Sequence, residues 1–311
     1  MSDDSRSDLI LEAAELYYFE GLTQAAIGQR LGCTRWTVGR LLEQARETGL
    51  VTITINHPRA RTRELETALM RTFAIDKAII GPGIETASTD VSRAAASFLA
   101  DMRPRPSTVA VSWGRTLARV ALQLPHNWSP GVKAYQTNGG PTRSGNDSIA
   151  RSLGILAEKG PGIGHTLPAP AIVGATELSN QLLKEPVIAE TLQAAAGADV
   201  TVYSPGSVTH DSVLVRSGYL RPSHIDSIRK SGGVGDILSH FVDSDGEPIS
   251  SELDARTISL GLHALKESKQ TVAIVDTADK APALLAAIRA GYASTVITDS
   301  ETAQSVLALI E

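Results

Sequence analysis

The run QAAIGQRLGCTRWTVGRLL, beginning at Gln24, places small, apolar and polar residues where two short helices must cross. With Gln24 as the first position, the fifth is Gly28, where crossing helices leave no room for a side chain. The ninth is Gly32, in the tight turn between them. Ile27, Leu31, Cys33, Val38 and Leu41 occupy the fourth, eighth, tenth, fifteenth and eighteenth positions, which must be buried to fix the crossing. This is the spacing of a helix-turn-helix, whose second helix enters the DNA major groove by its N-terminal residues. Thr34, Arg35, Trp36, Thr37 and Arg40 then form the exposed face. Arginine can take a guanine bidentately, and threonine can touch a phosphate or a thymine methyl. Trp36 has an alternative place, packed sideways on the domain, and Cys33 reads as a core residue.

The stretch Thr23–Arg63 holds seven arginines and two glutamates, whereas the whole chain carries a net charge of −5. A basic segment on an acidic protein suits a local polyanion contact. Before it, Leu9, Ile10, Ala13, Ala14, Leu16 and Tyr17 recur at helical spacing, Gly21 stops that helix, and Thr23 can cap the next. After it, Val51, Ile53 and Ile55 alternate with polar residues, predicting a strand over Val51–Asn56 that could form a wing.

Three further stretches could bind a ligand. Val111-Ser112-Trp113-Gly114-Arg115-Thr116 runs from a predicted strand through glycine into a helix, whose N-terminal amides favour anions. Gln136-Thr137-Asn138-Gly139-Gly140-Pro141-Thr142-Arg143 is a second, glycine-rich strand exit, and Asp276-Thr277-Ala278-Asp279-Lys280 is a third, which carries the basic Lys280 just before a helix. None is a P-loop or a dinucleotide fingerprint, and each alone could serve only its turn. Together on one sheet edge they suggest a phosphate-bearing ligand. Signals for catalysis are poor. No HExxH or GxSxG is present, the lone Cys33 excludes an intrachain disulfide and cysteine-based zinc sites, and no spacing singles out Asp236, Asp254 or Asp276.

These loops need strands and helices to hold them. Candidate strands are 77–80, 108–112, 132–137, 172–173, 200–203, 271–275 and 294–298. The helical stretches between them are 90–102, 116–124, 147–159, 180–196, 222–231, 251–267, 281–290 and 301–310. Such alternation predicts a mostly parallel, doubly wound α/β domain that binds ligands at the carboxyl ends of its strands. Gly160–His165 reads as a flexible loop or lid. Leu65, Leu69 and Phe73 recur every four residues, which suggests an amphipathic connecting helix with a dimer contact. The expected organisation is a helix-turn-helix domain over 1–56, a linker helix over 57–75 and an α/β domain over 76–311. The polar N-terminus lacks a signal peptide and no apolar run reaches membrane length, so the chain is expected to be cytoplasmic, and nucleoid-associated when on DNA.

The chain resembles the SorC family of sugar-responsive bacterial transcriptional regulators. The resemblance lies in the run Tyr17–Gln24, the second helix over Val38–Gly49, the strand Val51–Asn56, Trp113-Gly114-Arg115-Thr116 and Asn138-Gly139-Gly140. It continues in Gly233-Val234-Gly235-Asp236-Ile237 and in TVAIVDTADKAPALLAAIRAG with Val296-Ile297-Thr298-Asp299, so it spans essentially the whole chain. It implies an effector domain related to sugar-phosphate isomerases and deaminases but acting as a sensor, with no cofactor or metal, in a homo-dimer or tetramer bound to operator DNA. By the same resemblance Gly114, Arg115 and Thr116 would hold a phosphate, Asn138, Gly139 and Gly140 would face the ligand, Asp236 would accept sugar hydroxyls, and Lys280 would pair with a phosphate or hydroxyl. Two departures weaken the case for phosphate. Asn138 replaces the basic residue some members carry there, and Asp276-Thr277-Ala278 stands where the family often has Gly-Gly. The effector is therefore a sugar, a polyol or a sugar phosphate. An isomerase- or deaminase-like enzyme with a DNA-binding head, and a ligand-free architectural DNA-binding protein, are the rival readings.

Overall fold

A computed structural model of the chain describes residues 3–51, 58–140 and 147–310. Its contacts divide the chain into two compact units, Met1–His57 and Pro58–Glu311.

The first unit holds helices α1 (Asp3–Tyr18), α2 (Gln24–Arg30) and α3 (Arg35–Glu47). Thr23 caps α2 by accepting from the Ala26 N–H at 3.3 Å, and Thr34 caps α3 by accepting from the Thr37 N–H at 3.1 Å. Ala13, Ala14, Leu16, Ile27, Val38, Leu41, Leu42 and Ala45 are its buried core, with Leu31 and Cys33 partly buried beside them. The two glycines act as their spacing requires. A Cβ on Gly28 would lie 2.7 Å from the carbonyl oxygen of Cys33, and Gly32 has a φ of +65°. Gly28→Ala is expected to destabilise this unit by about 1–3 kcal/mol through overpacking against backbone. Hydrogen exchange of the α2 and α3 amides checks this, and unchanged protection contradicts it. The predicted strand Val51–Asn56 lies outside the described residues beyond Val51.

The second unit opens with α4 (Pro58–Thr72). Leu69 and Phe73 are buried in the core of this same unit and Leu65 packs against it. The stripe expected to make a dimer contact is consumed internally, because the strand Lys77–Ile80 and the C-terminal helix Ser300–Ala308 cover it.

Seven strands form a parallel sheet. They are β1 (Lys77–Ile80), β2 (Thr108–Val111), β3 (Lys133–Gln136), β4 (Ile163–His165), β5 (Val200–Tyr203), β9 (Thr271–Ile274) and β10 (Thr295–Thr298), in the spatial order β1-β10-β9-β5-β2-β3-β4. A separate antiparallel sheet joins β6 (Gly206–Ser207), β7 (Gly235–Ile237) and β8 (His240–Val242). Helices α5 (Ala87–Asp101), α6 (Arg115–Gln123) and α7 (Asp147–Lys159) pack one apolar layer with the sheet. The helices Ala281–Arg289 and Ser300–Ala308, with α4, pack the other. The domain is thus doubly wound, as its alternation predicts. From β2 the chain winds outward through β3 and β4, then returns to β5 and winds the other way through β9 and β10. The reversal between β2 and β5 is the switch point at which such sheets bind ligands.

Four local expectations are corrected. Gly160–His165 is no lid, since Ile163–His165 forms edge strand β4 with Ile163 paired to Lys133. Ile172 makes only an isolated bridge to Thr257. The helix over 180–196 is two, Thr176–Leu182 and Pro186–Ala196, because Pro186 lacks the N–H to continue the first. The helix over 251–267 is interrupted after Asp254, where Thr257 and Ser259 bridge to Ile172 and Asn138.

Candidate effector pocket and nucleic-acid interface

In the first unit, Thr34, Arg35, Trp36, Thr37 and Arg40 are all exposed around the start of α3. Thr34 is committed to its cap, with its hydroxyl also 2.8 Å from that of Thr37. Trp36 stands 79% exposed, so it does not pack sideways on the unit. Arg35 also borders a groove with Tyr17, Gln24 and the loop Gly21–Thr23. Tyr17 and Gln24 were not among the expected contacts, although their place beside the start of α2 is where a helix-turn-helix meets the phosphate backbone.

In the second unit, a cavity of about 490 Å³ opens at the carboxyl ends of the strands. Ser112–Thr116 follow β2, Ser204–Ser207 follow β5 and Asp276–Lys280 follow β9. The hairpin between β7 and β8 closes it with Asp236, Leu238 and Ser239. Asp276 is the hub. It is buried and accepts from the Thr116 hydroxyl at 2.9 Å and from the Arg119 guanidinium, while the Lys280 ammonium lies 3.8 Å away. Burial alone would raise its carboxyl, but Lys280, Arg119 and Thr116 outweigh that and hold it below the ordinary carboxylate range. Lys280 is 3.2 Å from the Ser204 hydroxyl and 3.4 Å from that of Thr116. Burial lowers its pKa, with Asp276, Asp279 and Asp236 opposing. Opposite, burial raises the Asp236 carboxyl to about 6 against the Ser239 N–H, which donates to it at 3.2 Å.

One corner suits an anion. Gly114 caps α6 without a side-chain bond, leaving the first-turn amides free, and the Arg115 side chain is exposed there. The buried hydroxyl of Ser112 at the same strand end has no hydrogen-bond partner among the described residues.

Of the expected ligand residues, the structure brings Gly114, Arg115, Thr116, Asn138, Asp236 and Lys280 to this one cavity. Two of them have other duties. The Thr116 hydroxyl is taken by Asp276, so its contribution to an anion is its amide. Asn138 is buried, donates to the Ser239 hydroxyl at 2.9 Å and accepts from the Thr137 hydroxyl at 3.0 Å, bracing the hairpin that carries Asp236. Gly139 and Gly140 do not line the cavity. Their amides donate to the carbonyls of Ile258 and Ala169, so in this structure the pair is used in backbone packing. Pro141, Thr142 and Arg143 lie outside the described residues. Asp254 binds His240 rather than the cavity. Ser112 and Asp279, which lie within the flagged stretches, and Arg119 and Ser204, which do not, also line the cavity without having been among the expected ligand contacts. Arg119 sits one helical turn after Thr116 on the same face of α6, a spacing that could have found it. Among the described residues, no group of acidic, histidine or cysteine side chains could hold a metal ion, and no helix is long and apolar enough to cross a membrane.

Residues 57–308 match the family model described as "Putative sugar-binding domain". The chain is 27% identical over 310 residues to the deoxyribonucleoside regulator of Bacillus subtilis (strain 168), covering 98% of this chain and 99% of that one. It is 29% identical over 313 residues to the transcriptional regulator LsrR of Escherichia coli (strain K12), covering 96% and 94%. Among solved structures it resembles the full-length sorbitol operon regulator SorC of Klebsiella pneumoniae with a TM-score of 0.73 and 25% identity, each chain covered completely. A DeoR family transcriptional regulator from Listeria monocytogenes superposes with a TM-score of 0.71 at 27% identity, covering 79% of this chain and 99% of that one. With that sugar-binding domain joined to a helix-turn-helix, and relatives matched along nearly their whole length, the chain belongs to the SorC family of bacterial transcriptional regulators.

Proposed function

We propose that this protein is a transcriptional regulator whose hold on operator DNA is set by a sugar, polyol or sugar phosphate bound in the cavity between β2, β5 and β9. One observation carries the reading. A single chain joins a helix-turn-helix with an arginine-bearing recognition face to a polar cavity at a sheet switch point, with an anion corner facing Asp236. The anion corner suits a phosphate or an electron-rich hydroxyl, and Asp236 suits hydroxyl donors. Residues 1–56 read DNA, α4 within 57–75 begins the effector domain, and 76–311 complete it. The chain works in the cytoplasm as a homo-dimer or tetramer, since paired recognition helices reading two half-sites multiply a small interface. Ligand need shift that assembly by only about 1–3 kcal/mol to change operator occupancy about 5–150-fold.

We read the cavity as a sensor and not as a catalytic centre. Asp276 and Lys280 are tied to each other and to Thr116, so this pair is committed to the wall of the cavity rather than free to move protons. A thermal-shift panel of sugars, polyols and their phosphates tests the reading, because a ligand at 100 times its dissociation constant adds about 2.7 kcal/mol. The stabilising compound is expected to change operator affinity and to be recovered intact. Steady conversion to a product would move the assignment to the enzyme.

On the DNA side, Arg35→Ala and Arg40→Ala are each expected to weaken operator binding by about 1–3 kcal/mol. Both residues are exposed, so folding should not change. Fluorescence anisotropy with operator DNA measures this, and wild-type affinity in both variants would remove α3 from the groove.

A further inference from the structure

We propose that Trp36 reads thymine, its indole lying on the C5-methyl group of a thymine in the major groove of the operator; this rests on the assignment of α3 as the DNA-contacting helix. Trp36 is the second residue of α3, after the cap Thr34 and the first residue Arg35, within the N-terminal turn that reaches base edges. A tryptophan side chain is normally well buried, yet this one is 79% exposed and takes no part in the core of its unit. No aromatic ring or cation stacks on it among the described residues. Arg35, Thr37 and Arg40 surround it, also exposed, so the surface is one apolar ring inside a cationic frame.

That arrangement fits the major groove, where phosphates line the rim and thymine methyl groups supply apolar contact on the floor. The chemistry also selects the base. An indole has a single N–H donor and no acceptor. Thymine offers a methyl group to the ring and an O4 acceptor to the N–H. Cytosine presents an amino donor at that place, and adenine, although it offers an N7 acceptor, sets an amino donor beside it and has no methyl group for the ring. Guanine has only acceptors there, but the neighbouring arginines match them bidentately and an indole does not.

The test uses the full-length chain. Wild type and Trp36→Ala each select binding sites from random duplexes. In the best wild-type site, thymines are then replaced one at a time by deoxyuridine, which deletes only the methyl group. One thymine per half-site is expected to be enriched by wild type and lost from the Trp36→Ala selection. Uracil at that position should weaken wild-type binding about four-fold, the equivalent of about 0.8 kcal/mol for one buried methyl group, and leave Trp36→Ala unchanged. Trp36→Phe, which keeps a ring, should retain the preference. Identical selected sites for wild type and Trp36→Ala, or no thymine sensitive to its methyl group, would overturn the thymine contact while leaving α3 as the reading helix. A changed oligomer distribution of Trp36→Ala in light scattering, with base preference intact, overturns it too and assigns the indole to a protein contact. If wild type enriches no sequence at all, the assignment of α3 fails and the proposal with it.

Discussion

Asp276→Ala is expected to cost the effector domain about 3–5 kcal/mol of stability, because it removes one partner of a buried ionic network and leaves the others unbalanced. The carboxylate has almost no solvent contact and meets Thr116, Arg119 and Lys280 at once. Without it the buried ammonium of Lys280 and the guanidinium of Arg119 each lose their counter-charge. The Arg119 side chain is 38% exposed, so water screens part of its loss and the lower end of the range applies. The pH dependence carries the matching sign. A carboxyl held below its ordinary range binds fewer protons folded than unfolded, so its contribution is full above the unfolded pKa and fades as pH falls through the folded value. Asp276→Ala should therefore lower the unfolding free energy at neutral pH and flatten its decline in acid. Urea titrations followed by tryptophan fluorescence at neutral and acid pH measure both. A variant that unfolds at the wild-type urea concentration would show that Thr116, Arg119 and Lys280 do not depend on Asp276.

Asp236→Ala is expected to abolish the effector response while operator binding by the free protein stays intact. Hydrogen bonds from ligand hydroxyls to a carboxylate are worth about 1.5–3 kcal/mol each, so one lost contact weakens the effector by about 10–150-fold. The side chain sits on the β7–β8 hairpin, lines the cavity of the second unit and belongs to no part of the first unit's core, which is why DNA binding should survive. Lys280→Ala should have the same effect on a phosphorylated effector and matter much less for a neutral polyol, so the two variants together report the charge of the ligand. Acid provides a third handle. Burial raises the Asp236 carboxyl to about 6, so in the free domain it gains a proton as pH falls through that value. Hydroxyl donors favour the ionised form. Effector affinity should therefore rise with pH through about 6 and level off above it, and this limb should vanish in Asp236→Ala. Anisotropy titrations of operator DNA with effector, repeated across this pH range, carry the whole comparison. Wild-type effector release by both variants would place the ligand elsewhere.

The helix-turn-helix was legible because its constraints are local. Gly28 and Gly32 meet their own neighbours within one short run, and the burial of Ile27 and Val38 follows from that geometry. The sheet was legible for a different reason. Strands such as β5 and β9 are β-branched runs buried on both faces, which suits a central parallel strand. The short pieces escaped notice. Strand β4 has three residues with a glycine in the middle, and Gly160-Pro161-Gly162 before it carries the composition of a turn. Its strand character comes only from pairing with β3. Likewise Gly235–Ile237 and His240–Val242 are too short to show alternation, so the hairpin that carries Asp236 into the cavity was visible only through family resemblance. The site divides along the same line. The strand exits after β2 and β9 flagged two walls of the cavity, but the bond between Thr116 and Asp276 joins residues 160 positions apart, and no local pattern announces such a partner. Gly139 and Gly140 misled because a glycine pair after a strand looks the same whether it receives a ligand or another stretch of backbone.

The strand order also dictates how this protein must be made. β1 pairs only with β10 among the described strands, so the first strand of the sheet to leave the ribosome has no neighbour until the last one has emerged. At synthesis rates of about 5–20 residues per second, that interval amounts to roughly 10–45 seconds. The helix-turn-helix, by contrast, has all of its core within the first 45 residues. During translation the DNA-reading unit is therefore complete while Ala78 and Ile80, both buried in the finished domain, still lie on an unpaired edge open to aggregation. A nascent chain of this regulator thus holds its address label before it holds its sensor.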